Sequence, residues 1–502
     1  MSKVVQLHSK DDVVISLHEI RKGENIQIQT ADKALIDIKA RDDIPKGHKM
    51  LVQSVKQGED VLKFGYSIGK AKEDLSAGEW VHTHNLESGL HGILDYTYQP
   101  TIQNSTAVED SKYTFQGYIR ENGEAGIRNE IWIINTVGCI NKTCEVLAKM
   151  GNEQFKDRQI DGIYHFSHPY GCSQLGDDLT HTQKLLAALA QHPNAAGVLI
   201  VGLGCENNQI EAFKEIIGEY PPQRIKFLKA QEVEDELSSG LRLIEELVEY
   251  AEQFERQPIP VSKLKIGLKC GGSDGFSGIT ANPLVGAVSD LIVANGGTTI
   301  LTEVPEMFGA ETILMNRAKD EETFQKIVHL INDFKQYFIR HDQEIYENPS
   351  PGNKEGGIST LEEKSLGCTQ KGGHATVVDV RPYGERVVKH GLNLVNAPGN
   401  DLISVTALAA AGAHIVLFTT GRGTPFGGPV PTVKIATNSD LANRKKHWID
   451  YNAGQLVEGQ KIDELRQDLF QYILSLASGE TKTNNEQFGY REISIFKEGV
   501  IL

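Results

Sequence analysis

Cysteine is scarce in this chain. The 502 residues hold six, Cys139, Cys144, Cys172, Cys205, Cys270 and Cys368, at no spacing that suggests a disulfide framework. Reduced thiols and a cytoplasmic setting are the expectation. No apolar run approaches the ~18 residues that a membrane span needs. The opening MSKVVQLHSKDD lacks the apolar core of a signal peptide. Basic residues are outnumbered, 51 Lys and Arg against 67 Asp and Glu, for a net charge of −16. That balance argues against nucleic acid or an anionic membrane as a partner. It also requires any anionic substrate to find local positive charge, from arginines beside Gly-rich loops or from a metal ion. No GK[ST] follows the glycines, so the chain carries no P-loop, and its main Gly-rich loop is not GxGxxG.

That loop, KCGGSDGFSGITANP from Lys269 to Pro283, holds Gly271, Gly272, Gly275 and Gly278. It lies between an apolar run, Leu264 to Leu268, that reads as a buried strand, and a run from Leu284 to Ala294 that reads as a helix. Asn282 is the expected N-cap, with Pro283 at the first helical position. Glycines let a backbone approach a ligand and a helix N-terminus favours an anion, so Ser273 and Asp274 enter as candidates for binding. A plain tight turn is the alternative.

A chain of this length predicts two to four domains. Residues 1–95 read as an all-β module, from short apolar or alternating segments punctuated by Gly, Pro and Asp. It closes on Val81-His82-Thr83-His84-Asn85. In a strand His82 and His84 share a face, which suits a divalent metal or a carboxylate, or a merely solvated face. Residues 96–112 are polar and aperiodic and read as a linker that would let the module close over a site. Residues 113–258 then repeat strand, Gly-Cys, helix, with Cys139, Cys172 and Cys205 spaced 33 residues apart. These βα units predict a parallel sheet with the three cysteines at its carboxyl edge. Simple packing of small residues is the competing reading.

Arg256 to Pro260 reads as a short linker into the last domain, 259–502. There Cys270 repeats the strand-end cysteine, and Glu303 falls at the end of the next strand. Residues 349–374 read as a long Gly-rich loop around one short helix, carrying Cys368, Lys371 and His374. Arg422, between Gly421 and Gly423 past a buried strand, has the form of a carboxylate clamp.

KCGGSDGFSGITANP, GYIRENGEAGIRN, HPYGC, GLGCE, TEVPE, GCTQKGG and GRGTPFG occur in this order. The chain thereby resembles the altronate/galactarate dehydratase family along nearly its whole length. Its first module resembles the family's SAF-type β-clip domain, including the VHTHN close. The resemblance implies an α/β protein: a β-clip domain, a central α/β part and a Rossmann-like C-terminal parallel sheet. It implies dehydration of a sugar acid to a 2-keto-3-deoxy product, dependence on Fe(II) or another divalent ion such as Mn(II), reducing conditions, and a homodimer. Altronate is the expected substrate, with galactarate or sulfolactate as alternatives. A sugar-acid-binding protein without catalysis is the non-enzymatic alternative.

Such a dehydration needs a base for the proton beside the carboxylate, stabilisation of the charge that develops, and an acid for the departing hydroxyl. His168, Lys371 and His374 are the candidates for base and acid. Arg128 and Arg422 are candidates for the carboxylate, with Ser273, Asp274, His82 and His84 as further binding residues. Cys270, Glu303 and Cys368 are the candidate metal ligands, with Cys172 and Cys205 behind them; thiolates suit Fe(II).

Overall fold

A computed structural model describes residues 3–32, 34–101 and 112–502. The first module is built from short antiparallel strands. One sheet joins Val4–Val5, Val13–Ser16, Lys49–Leu51 and Trp80–Val81, and another Asp60–Lys63, Tyr66–Ala71 and Leu86–Glu87. In the hairpin strand Asn25–Gln29 only Ile26 and Ile28 are buried, the period-2 pattern of a one-sided sheet. The module shares a core with the rest of the chain: Val61, Ile68 and Leu86 pack in one cluster with Ala310 and Leu366.

Residues 96–101, expected as linker, run along the C-terminal domain, where the Tyr96 hydroxyl donates to Glu311 and that of Tyr98 to the Ala318 carbonyl. The remaining linker expectation over 102–111 lies outside the described residues.

The central sheet is parallel, in the order Ile163–His165, Glu130–Asn135, Ala195–Gly202, Ile225–Lys229. Helices Asn141–Gln154, Gly176–Ala190, Ile210–Ile217 and Glu236–Ala251 accompany it. The expected linker at 256–260 is instead a strand, Gln257–Pro260, paired antiparallel with Thr114–Ile119. Ile259 faces Phe115 in that pairing and both are buried. Four residues with two prolines are too short for a period to show.

Seven parallel strands form the C-terminal sheet. Their order is Val377–Arg381, Gly391–Val395, Thr298–Leu301, Lys265–Cys270, Ile415–Thr420, Thr432–Ala436, Tyr451–Asn452. The inner strands are buried on both faces, which explains why their sequences do not alternate apolar with charged residues. The helix after the Gly-rich loop is Ala281–Ala294, with Thr280 rather than Asn282 at its N-cap. Asn282 lies inside the helix, where its amide donates to the Gly367 carbonyl and accepts from the Thr419 hydroxyl.

Residues 349–374 are mostly helical: Pro351–Glu355, Leu361–Thr369 and a short 3-10 turn Gln370–Gly372. All nine residues of Leu361–Thr369 are buried, charged ones included. One short helix was expected here; a helix enclosed on every side has no amphipathic stripe, so periodicity does not mark its extent.

Candidate active site

Chain order reverses across the C-terminal sheet beside Lys265–Cys270, which has Thr298–Leu301 on one flank and Ile415–Thr420 on the other. Open α/β sheets bind ligands at the carboxyl ends of strands at such a point. A cleft of about 740 Å³ opens there, bordered by Cys270, Glu306, Asn348, Asn353, Lys364 and Asp401 among others. Its size falls within the usual range for small-molecule sites.

Below the cleft lies a buried cluster of charge. Cys270 Sγ is 3.2 Å from Cys368 Sγ, 3.5 Å from Glu306 Oε2 and 2.9 Å from Lys371 Nζ. The Cys368 thiol is 3.2 Å from the same Glu306 oxygen. Glu303 accepts from Lys269 Nζ at 2.6 Å, from Lys371 Nζ at 3.0 Å and from the Cys270 amide at 3.0 Å. Lys364 Nζ donates to Glu306 at 2.9 Å, Asn348 at 3.0 Å and Asn353 at 3.3 Å. Lys269 also reaches Asp401 at 3.1 Å.

Local structure sets these positions. Lys364 and Cys368 are four apart on Leu361–Thr369 and so share one side of that helix. Glu303 follows its strand in a left-handed conformation, φ 69° and ψ 53°. That conformation costs on the order of 1–3 kcal/mol in a non-glycine residue, and such strain gathers at functional sites.

The cluster reshapes its own acidities. The Cys368 thiol donating to it, with the Lys371 ammonium beside it, draws Cys270 down to about 6 against the effect of burial. Cys368 is correspondingly raised, by that hydrogen bond and then by burial. Burial and the Cys270 thiolate push Glu303 up to about 8. Burial opposes ionisation of Glu306 too, but Lys364, Lys269 and Lys371 hold it below the usual carboxylate range.

Cys270, Glu303, Cys368 and Lys371 are therefore brought together. The other expected residues lie elsewhere. Arg128 is buried beside the amino end of the Glu130–Asn135 strand, in a two-point pair with Glu486 at 2.7 and 3.2 Å, and ties the central domain to the C-terminal one. His168 is buried in the central domain, with Nε2 at 2.8 Å from the Asn135 carbonyl and Nδ1 accepting from the Tyr170 amide. Burial lowers it to about 4, so it is neutral. His374 is exposed and meets Asp290 at 3.1 Å. Arg422 does not border the cleft; it is half-exposed and pairs with Glu355 at 2.8 Å. Ser273 and Asp274 border a void of about 10 Å³, too small for a substrate. Asp274 spends its carboxylate on the Phe276 amide, Ser277, Thr437 and Asn438.

His82 and His84 do not share a strand face, because the strand ends at Val81. His82 turns inward, its Nδ1 2.9 Å from Ser359 Oγ, while His84 is exposed. Burial lowers His82 to about 3. Beside it, Lys49 and Lys63 of the first module meet Glu363 at 2.8 and 2.7 Å, all three buried. Glu363 belongs to the same helix as Lys364 and Cys368, so this contact seats the module directly behind the cleft. Cys172 and Cys205, with Cys139, are exposed at the carboxyl edge of the central sheet.

Sequence reasoning did not nominate Glu306, Lys269 or Lys364. Signals for each existed: Glu306 stands three residues after Glu303, Lys269 adjoins Cys270, and Lys364 precedes Cys368 by one helical turn.

Comparison with known proteins accounts for this arrangement. Residues 261–501 match the family described as D-galactarate/Altronate dehydratase, C-terminal, and residues 117–252 the D-galactarate dehydratase/Altronate hydrolase second domain. Residues 2–89 match the Altronate/galactarate dehydratase SAF domain. An altronate dehydratase of Bacillus subtilis (strain 168) is 52% identical over 100% of both chains. The chain belongs to the altronate/galactarate dehydratase family. An altronate dehydratase of Escherichia coli (strain K12) is 50% identical over 99% of both chains. A galactarate dehydratase (L-threo-forming) of the same organism is 30% identical over 98% of this chain and 96% of its own. Within this family the SAF domain is the first module, and no helix among the described residues is long and apolar enough to cross a membrane.

Proposed function

We propose that this protein is a hydro-lyase that converts D-altronate to 2-dehydro-3-deoxy-D-gluconate and water. The likeness to two altronate dehydratases over essentially the full chain carries this reading. The 740 Å³ cleft has room for a six-carbon acid and a wall of groups that move protons.

Lys364 borders the cleft with its ammonium on Glu306, Asn348 and Asn353, and we assign it the substrate's carboxylate, which would take the place of an asparagine, instead of Arg128 or Arg422. Asp401, one-third exposed at the start of helix Asp401–Ala410, is a cleft carboxylate with free acceptor capacity and takes the part of base.

A divalent ion, Fe(II) or Mn(II), is part of this reading. Cys270, Glu306 and Cys368 would hold it: one donor atom from each lies within 4.8 Å of the others. Charge supports the fit. Three buried lysines, 269, 364 and 371, already offset the Cys270 thiolate and the Glu306 and Asp401 carboxylates. A doubly charged ion that displaces the protons still held by Cys368 and Glu303 leaves that balance unchanged. When bound, the ion supplies Lewis-acid stabilisation of the charge that develops beside the substrate carboxylate. A cytoplasmic homodimer completes the proposal.

The test is one assay. Purified protein with Fe(II) and reductant is offered D-altronate, galactarate and sulfolactate in parallel, and 2-oxo acid or sulfite release is followed. Altronate is expected to turn over fastest. No 2-oxo acid from altronate, or a higher kcat/KM on either other acid, overturns the assignment.

A further inference from the structure

A second polar cavity, of about 160 Å³, lies between the central and C-terminal domains. Arg120 and Arg224 of the central domain and Arg386 of the C-terminal domain border it, with Gln191 and Tyr250. It is remote from the cleft. Arg386 pairs with Glu124 at 2.6 Å, and Glu124 is 3.6 Å from Lys265. Lys265 begins the strand that Cys270 ends, so the two regions are roughly 17 Å apart along it.

The three guanidiniums are unequally satisfied. Arg386 has its carboxylate. Arg120 is buried and donates to the Pro193 carbonyl at 2.8 Å, the Asn129 side chain at 2.9 Å and the Arg128 carbonyl at 2.7 Å. Arg224 is buried and donates from Nη2 to the His192 and Ala195 carbonyls at 2.9 and 3.1 Å. Its Nε is buried with no partner. Among the described residues neither Arg120 nor Arg224 has a carboxylate within ion-pair distance. Glu121 and Glu219, also on the border, are exposed, and Glu121 accepts from the Tyr250 hydroxyl.

Buried charge without a counter-charge is costly, and an orphaned donor adds to the cost. Burial and Arg224 lower Arg120 to about 9, and burial and Arg386 lower Arg224 to about 10. A bound anion supplies the missing counter-charge. Volume limits its size: a 150 Å³ cavity holds a ligand of about six heavy atoms. Phosphate has five; a six-carbon sugar acid has more than twice that number.

We propose that this cavity is an anion-binding site for a small tetrahedral oxyanion of the phosphate class, separate from the cleft. Arg224 is its principal charge and Arg120 its second. Because residues of both domains border it, an occupant ties the two together.

Inorganic phosphate is the probe, titrated into the full-length protein at constant ionic strength with chloride as the control. We expect saturable binding of one phosphate per chain, a thermal midpoint that rises with phosphate and not with chloride, and an unchanged KM for the sugar acid. Methyl phosphate, tested in parallel, distinguishes sources: equal binding shows that a phosphoryl group on a small ester also enters, and weaker binding shows that the free ion is the ligand. Arg224→Gln should weaken phosphate at least tenfold, while Arg422→Gln, at an exposed arginine, should not. No saturable binding to the wild type, which means a cavity filled by water only, overturns the proposal. So does competition between phosphate and the sugar acid, which places the ion in the cleft. Those two wild-type results hold even if Arg224→Gln fails to fold.

Discussion

The acidity of Cys270 can be measured directly. Cys139, Cys172 and Cys205 are first changed to serine, which removes the exposed thiols. A small aromatic disulfide is then offered to the metal-free protein across pH 5–10, and the mixed disulfide at Cys270 is followed by mass spectrometry. Cys270 borders the cleft, so the reagent has a path. With its acidity near 6 rather than the ordinary 9, about 90% of Cys270 is thiolate at pH 7, against about 1% otherwise. Nucleophilicity falls as the thiol becomes more acidic, with a slope of about 0.4–0.5, so three pH units give back roughly 15–30-fold. The net gain at pH 7 is only about three- to sixfold. The profile decides the matter instead. The rate should level off above about pH 7, where an ordinary thiol climbs tenfold per unit up to pH 9. Lys371→Met removes the ammonium 2.9 Å from the sulfur and should move the midpoint up by about 1–3 units. Fe(II) should protect the thiol. A rate still climbing at pH 9, or a midpoint that ignores Lys371, refutes the description of the cluster.

Three further outcomes are expected. Lys364→Met should lower kcat/KM by about 2–5 kcal/mol if Lys364 holds the substrate carboxylate, measured on protein whose circular dichroism is unchanged. Arg422→Ala should leave kcat/KM within about threefold, since its pair with Glu355 is exposed and contributes at most ~1 kcal/mol; a loss of a hundredfold would return the clamp to Arg422. Arg128→Met strands Glu486, its partner at 2.7 Å, and should cost about 3–5 kcal/mol of stability with little change in turnover per folded molecule, read from denaturant midpoints and active-site titration.

The α/β architecture was legible because its strands are buried on both faces and its Gly-Cys turns recur at a fixed distance. What escaped reading did so for physical reasons. Leu361–Thr369 is enclosed on all sides and shows no stripe, so the sequence reads as one short helix where 349–374 holds two and a 3-10 turn. Gln257–Pro260 is recognisable as a strand only through its partner at Thr114–Gly117, 140 residues earlier. Arginine was expected to offer charge where glycine relaxes the backbone. Arg128 is instead consumed by Glu486, and the positive charge at the cleft comes from lysines inside regular elements. Local sequence marks where a backbone can bend. It does not say which of several cations a distant carboxylate will claim.

The contact of Lys49 and Lys63 with Glu363 bears on how the cleft exchanges its contents. Swinging the SAF domain away would separate three charges that sit out of water. Water would rehydrate them, but opening would also expose the apolar surface that Val61, Ile68 and Leu86 share with Ala310 and Leu366, and that opposes it. In this structure the domain stands closed, as a wall behind the cleft. Traffic must use the other side, where Phe334, Tyr337 and His341 of helix Glu321–Arg340 and its end border the cleft. Substrate selectivity should therefore respond to changes along that helix more than to changes in the SAF domain.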